Sequence, residues 1–143
     1  MKFFLLICTL GLFLTACGDD NKGESIQGSS SVSPDKAATM EFEETAHNFG
    51  EIKEGEKVSH VFKFKNTSSN PLTISNATGS CGCTVPDYPK APINPGETGE
   101  IKVTFNSKGK KGEQSKNVTI EANTIPSKNR LKIYADVLVE EDS

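Results

Sequence analysis

From Met40 onward, apolar and polar positions alternate with a period of two. Val58, His60, Phe62 and Phe64 fall on one side of such a strand, and Ser59, Val61, Lys63 and Lys65 on the other. A half-buried strand requires this, because successive side chains point to opposite faces. The phenylalanine face is predicted to look into a core. The same alternation marks Pro71 to Ser75 (Leu72, Ile74), Glu100 to Phe105 (Ile101, Val103, Phe105), Asn117 to Ala122 (Val118, Ile120, Ala122) and Leu131 to Val139 (Leu131, Ile133, Ala135, Val137, Val139). A weaker first strand is predicted over Met40 to Ala46, ending at His47-Asn48-Phe49-Gly50. Turn signals separate the runs at Glu54-Gly55, Asn66 to Pro71, Pro95-Gly96, Lys108 to Gly112 and Asn123 to Asn129, through the residues that tolerate or favour tight backbone turns. No stretch sustains a helical period.

About seven short strands spaced by turns predict an all-β, immunoglobulin-like β-sandwich over residues 40–143. The chain has no tryptophan, so the Cys–Trp–Cys core of antibody domains is absent. Phe49, Phe62, Phe64 and Phe105 are expected to fill that space.

The pattern ahead of Met40 is different. Phe3 to Leu14 is an apolar run of twelve positions after Met1-Lys2, interrupted by Cys8, Thr9 and Gly11. Spanning a bilayer takes about 20 apolar residues, so residues 1–16 read as a secretory signal that does not join the fold. Leu14-Thr15-Ala16-Cys17 resembles the bacterial lipobox. That resemblance implies cleavage before Cys17, a diacylglycerol on its thiol and an acyl chain such as palmitate on its new amino group. More than one acyl chain anchors a protein stably, which implies membrane attachment of an otherwise soluble protein.

Residues 17–39 then form the lipidated cysteine and a tether. Positions 18–39 carry two isolated aliphatics, no aromatic and many Ser, Gly, Asp and Lys, too little apolar surface to offset the entropy of ordering. A flexible segment of this length reaches about 25 Å. Gly18-Asp19-Asp20 resembles the acidic signals that direct Bacteroidota lipoproteins to the outer face of the outer membrane, so the expected location is an outer-membrane lipid anchor, periplasmic or surface-facing.

Composition narrows the function classes. Hydrophobic residues make up 34% of the 143, and the net charge is −3. A nucleic-acid binder needs a basic footprint, and none is present. Of four cysteines, Cys8 and Cys17 belong to the leader, leaving Cys81 and Cys83 in the domain. There is no disulfide scaffold here, and about a hundred residues suffice to build a core without one.

Cys81-Gly82-Cys83 is the candidate chemistry, with three readings open. A local disulfide needs Cα atoms closer than about 6.8 Å, and a small, easily reduced ring would suit thiol exchange. Two thiolates also suit copper(I) or zinc, with His47 or His60 as further ligands. The third reading is purely structural, a bridge or free thiols shaping the turn into Thr84-Val85-Pro86. His60 shares the register of Phe62 and Phe64, which equally fits a hydrogen-bonded histidine at the core's edge, and His47 stands at a strand end. Lys108, Lys110, Lys111 and Lys116 read as a solvated hairpin loop, without the spacing of a phosphate-binding P-loop. Asn66-Thr67-Ser68, Asn76-Ala77-Thr78 and Asn117-Val118-Thr119 match the glycosylation sequon by chance in a bacterial setting. No GxSxG elbow or HExxH motif suggests catalysis.

The Phe49-Gly50 opening, the FKNTSSNPLTI strand pair from Phe64 to Ile74, the Cys81-Gly82-Cys83-Thr84 step and Pro95-Gly96 before a strand together resemble the family called domain of unknown function 1573. The likeness runs from about Phe42 to Val139. It implies an Ig-like fold similar to Hydin and centrosomal modules, and a place among bacterial lipoproteins. The resulting expectation is a non-catalytic envelope module for binding or scaffolding, without a cofactor, and with an envelope protein or glycan as partner. The alternative is a thiol site that takes a soft metal or exchanges disulfides.

Overall fold

The computed structural model describes residues 33–139, which form two stacked sheets. The strands are β1 (Met40–Phe42), β2 (Ala46–Lys53), β3 (Lys57–Asn66), β4 (Ile74–Gly79), β5 (Thr84–Asp87), β6 (Thr98–Asn106), β7 (Gly112–Ala122) and β8 (Lys128–Leu138). One sheet has the order β1-β3-β6-β5 and the other β2-β8-β7-β4. All pairs are antiparallel except β2 with β8, which run parallel. The fold is the expected Ig-like sandwich, with eight strands.

The alternation sets the core. Phe62, Phe64 and Phe105 are fully buried with Leu72, Ile101, Val103, Val118 and Ile120, and Leu131, Ile133 and Val137 are nearly so. Burying side chains of this size is each worth about 1.5–3 kcal/mol. Phe49 differs from expectation: it is half-buried and packs against the rim of the core. Phe64 gains its place from Gly99, opposite it in the β3–β6 ladder. A methyl on Gly99 would stand 2.3 Å from the Phe64 ring, so only glycine lets the ring lie flat there.

Several boundaries differ from the sequence reading. The first strand expected over Met40 to Ala46 is instead two, β1 and the start of β2, in different sheets. His47 to Gly50 does not end a strand, and β2 carries on to Lys53 because a register irregularity between Asn48 and Glu51 absorbs one residue. The strand expected from Pro71 to Ser75 is shifted, with Leu72 in an isolated bridge to Ile93 and β4 running from Ile74 to Gly79. β5 was not expected at all, because Pro86 occupies its middle; as an edge strand it tolerates proline.

The ordered domain also begins before Met40. A single 3-10 turn spans Pro34–Lys36, Ala38 is buried at 4% exposure, and its N–H donates to the Asn123 carbonyl. The last residues of the segment read as tether therefore belong to the sandwich. The leader, Cys17 and the rest of the tether lie outside the described residues.

Asn66 ends β3 as a buried polar hub. Its amide donates to the carbonyls of Asn70 and Ile93 at 2.8 and 2.9 Å. Its side-chain oxygen accepts from the N–H and hydroxyl of Ser68. Three of these hydrogen bonds brace the β3–β4 turn itself and the one to Ile93 ties it to the loop before β6, which satisfies a side chain that is costly to bury unpaired.

Candidate functional site

Gly50 decides what the outer face of the second sheet displays. It has φ +70°, a left-handed conformation open mainly to glycine, and its N–H donates to Asn48 Oδ1 at 2.9 Å. The extra residue at this bulge changes the side to which later side chains point. His47 and Phe49 face inward before it, and Ile52 faces inward after it. Glu51 consequently turns outward.

There it joins a row. Glu51 on β2 is opposite Asp136 on β8, and Asp136 is opposite Glu113 on β7. The neighbouring row holds Asn48, Tyr134 and Ser115. These residues line an open groove of about 560 Å³, together with Gly50, Gln114 and Ala135. Tyr134 is 38% exposed. Three carboxylates in one row repel each other, so the row costs stability and favours any cation laid across it.

A second cluster sits between the sheets. The ring of His47 on β2 stacks on that of His60 on β3, with centroids 3.5 Å apart and planes 7° apart. Phe49 meets His47, and Phe62 meets His60, in T-shaped contacts with ring centroids 4.8 Å apart. Glu44, in the link between β1 and β2, meets His60 Nε2 at 2.6 Å. Burial, and then the charge of His60, hold the His47 pKa below its ordinary value, while Glu44 pulls it the other way. One ligand atom from each of Glu44, His47 and His60 lies within 4.8 Å of the others.

Cys81 and Cys83 do not join that cluster. They form a disulfide with Cα atoms 5.2 Å apart, in the link that crosses from β4 to β5. β5 is two strands from β3 in its sheet, and neither sulfur belongs to the group of ligand atoms around the histidines. A four-residue site of Cys81, Cys83, His47 and His60 is thus not assembled. Both sulfurs approach Thr84 Oγ1, at 3.5 and 3.9 Å, and the carbonyl of Cys83 accepts from the N–H of Asn106. Gly82 has no left-handed backbone, and nothing would crowd a side chain there. The turn therefore does not require a glycine at position 82.

The family model for "Protein of unknown function (DUF1573)" matches residues 40–137. The chain belongs to this family. No curated protein matches the chain. The DUF1573 domain is similar in structure to a protein of unknown function from Porphyromonas gingivalis W83, at TM-score 0.64 and 16% identity, covering 76% of this chain and 51% of that one. The chain thus spans about half the length of that protein. It is also similar to the ASH / PapD-like domain 7 of human CEP192, at TM-score 0.60 and 8% identity, over 74% of this chain and 89% of that one. A third likeness, to the Vibrio cholerae VesB protease, has TM-score 0.54 and 18% identity and covers 71% of this chain but 32% of the protease. At these identities the likeness is one of fold.

Of the DUF1573 domain's functional candidates, sequence reasoning missed Glu44 and the carboxylate row. Glu44 precedes His47 by three positions but reaches His60, so chain spacing hides the pairing that matters. The row depends on strand register, which no single run displays. The lysine loop differs from the expected hairpin: it crosses from β6 to β7 in the other sheet, and Lys116 lies within β7. Gly109 and Gly112 adopt positive φ, and Gly109 N–H donates to Glu54 Oε1.

Proposed function

We propose that the domain is a non-catalytic binding module of the cell envelope, held at the outer membrane by lipid on Cys17. It takes a basic segment of another envelope protein into the groove over β2, β8 and β7. The observation that carries this reading is the row Glu51–Asp136–Glu113 beside Tyr134. Carboxylates attract Lys or Arg, and an exposed tyrosine gives contact area at small entropic cost.

The position of the groove supports the same reading. The chain enters the sandwich at Ala38, which bridges to Thr124 in the β7–β8 turn. The groove lies toward the other end of β8, beyond Ile133. A flexible segment of about fifteen residues would have an r.m.s. reach of about 20 Å, so a domain anchored through Cys17 by such a tether would hold its groove away from the lipid. A glycan is the second reading, favoured by Tyr134 standing between the amide of Asn48 and the hydroxyl of Ser115, since sugars stack on such rings and bond to such groups. The thiol alternative rests on a bridge whose cysteines are half-buried, and a soft metal would need that bridge reduced first.

A photo-crosslinker at Ser115 in the native envelope tests the groove. The expected product is one defined protein, depleted by raised salt and by Glu51→Gln with Asp136→Asn, and retained in Cys81→Ser with Cys83→Ser. Crosslinking indifferent to the carboxylates sinks the groove, and loss only in the cysteine variant transfers the function to the thiols. Intact mass of the mature protein checks the anchor: it should begin at Cys17, carry acyl chains and lose them in Cys17→Ala.

A further inference from the structure

We propose that Glu44, His47 and His60 form a binding site for a borderline divalent transition metal, zinc or copper(II), that clasps the two sheets together. The site is independent of the binding groove and of Cys81 and Cys83.

Three parts of the fold supply the ligands. His47 comes from β2 in one sheet, His60 from β3 in the other, and Glu44 from the link that crosses between them. Their ligand atoms already lie within 4.8 Å of one another, whereas tetrahedral zinc holds its ligands about 3.3 Å apart. Closing the difference takes side-chain rotation alone. The rings stack with planes 7° apart, and each nitrogen lone pair lies in its own ring plane, so a shared ion requires the rings to tilt toward each other. Room exists on the solvent side, where the side chains of His60 and Glu44 are 22% and 45% exposed. Phe49 against His47 and Phe62 against His60 limit how far the rings turn.

The donor set fixes the class of ion. Two imidazole nitrogens and one carboxylate suit zinc or copper(II); magnesium and calcium prefer all-oxygen sites, and copper(I) prefers sulfur. The ion gives up part of its hydration shell to the three side chains and keeps at least one water. The proton between His60 Nε2 and Glu44 goes to solvent, and no electron moves. Because the ligands come from separate sheets, the bound ion resists their separation, and binding to the folded state alone raises stability.

The test uses full-length protein without a histidine tag, stripped with a chelator and titrated with zinc against a chromophoric competitor. One equivalent should bind and raise the melting temperature. His47→Gln and His60→Gln should each weaken binding by roughly a hundredfold or more, since even outer-shell changes cost about ten- to a hundredfold. Glu44→Gln, half-exposed and safe for folding, should weaken it by at least about tenfold. The double variant Cys81→Ser with Cys83→Ser should bind as the parent does. With copper(II), electron paramagnetic resonance should show two imidazole nitrogens in the parent and in Glu44→Gln, and one in each histidine variant. No binding, binding unchanged in Glu44→Gln and both histidine variants, or binding lost only with the cysteines would overturn the proposal.

Discussion

The imidazole of His47 lies flat on that of His60, 3.5 Å away between the two sheets. Two stacked rings cannot both take a proton without repulsion. Burial first, and His60 second, lower the His47 pKa, against the pull of Glu44. In the unfolded chain the ordinary value is about 6.5. Above that pH both states are neutral at His47 and its contribution to stability is fully present. As pH falls, the unfolded chain takes up a proton that the folded one resists, so stability declines through the lowered pKa. Urea unfolding of chelator-treated protein between pH 7.5 and 5 should show this decline, and His47→Gln should flatten it. An unchanged slope in the variant would place the dependence elsewhere.

Gly50 should be sensitive although nothing crowds it. A Cβ there has no neighbour within 4 Å, and φ is +70°. The cost of Gly50→Ala is therefore backbone strain, about 1–2 kcal/mol, read by urea denaturation. Gly50→Asn, which tolerates this conformation better, should cost less. If alanine and asparagine are equal, the left-handed backbone is not what the position demands.

Asn66 is fully buried and gives its amide hydrogens to two carbonyls. Asn66→Asp replaces that donor with an acceptor facing two acceptors. Asn66→Ala should cost roughly 1–3 kcal/mol through the groups left unpaired, and Asn66→Asp more at neutral pH than at low pH, where a protonated carboxyl donates again. Thermal melts at both pH values separate the two effects.

The Cys81–Cys83 bridge closes a loop of separation two. On the chain-entropy account such a short loop is worth only about 1–2 kcal/mol. Cys81→Ser with Cys83→Ser should therefore fold, with its melting temperature lowered by several degrees for a domain of this size. Failure to fold would show that the bridge does more than restrain the unfolded chain.

How far the sequence could be read follows from what kind of information each feature needs. Phe62, Phe64 and Phe105 were legible as core because alternation is local. β2 was cut short because Gly50 looks like a turn, and the same bulge that lengthens the strand hides its second half from a period-two reading. Ala38 was lost in a polar stretch, where one small residue gives no signal. His47 and His60 were visible as candidates, but their stacking and their separation from the cysteines depend on which strands become neighbours. The row from Glu51 to Glu113 needs two ladder registers at once, and a linear pattern carries neither.

The parallel pairing of β2 with β8 has a mechanical consequence. β2 starts opposite Lys132 and ends opposite Leu138, so the chain enters β2 at one end of the ladder and leaves β8 at the other. A pull on the chain ahead of β2, resisted by a hold on the far end of β8, drags one strand lengthwise along the other. Hydrogen bonds across such a pair are strained together, whereas a hairpin pulled from its open end gives way one rung at a time. Tension that passes Ala38 and β1 and reaches β2 while a partner holds β8 near Asp136 would therefore meet this pair in shear rather than in peeling.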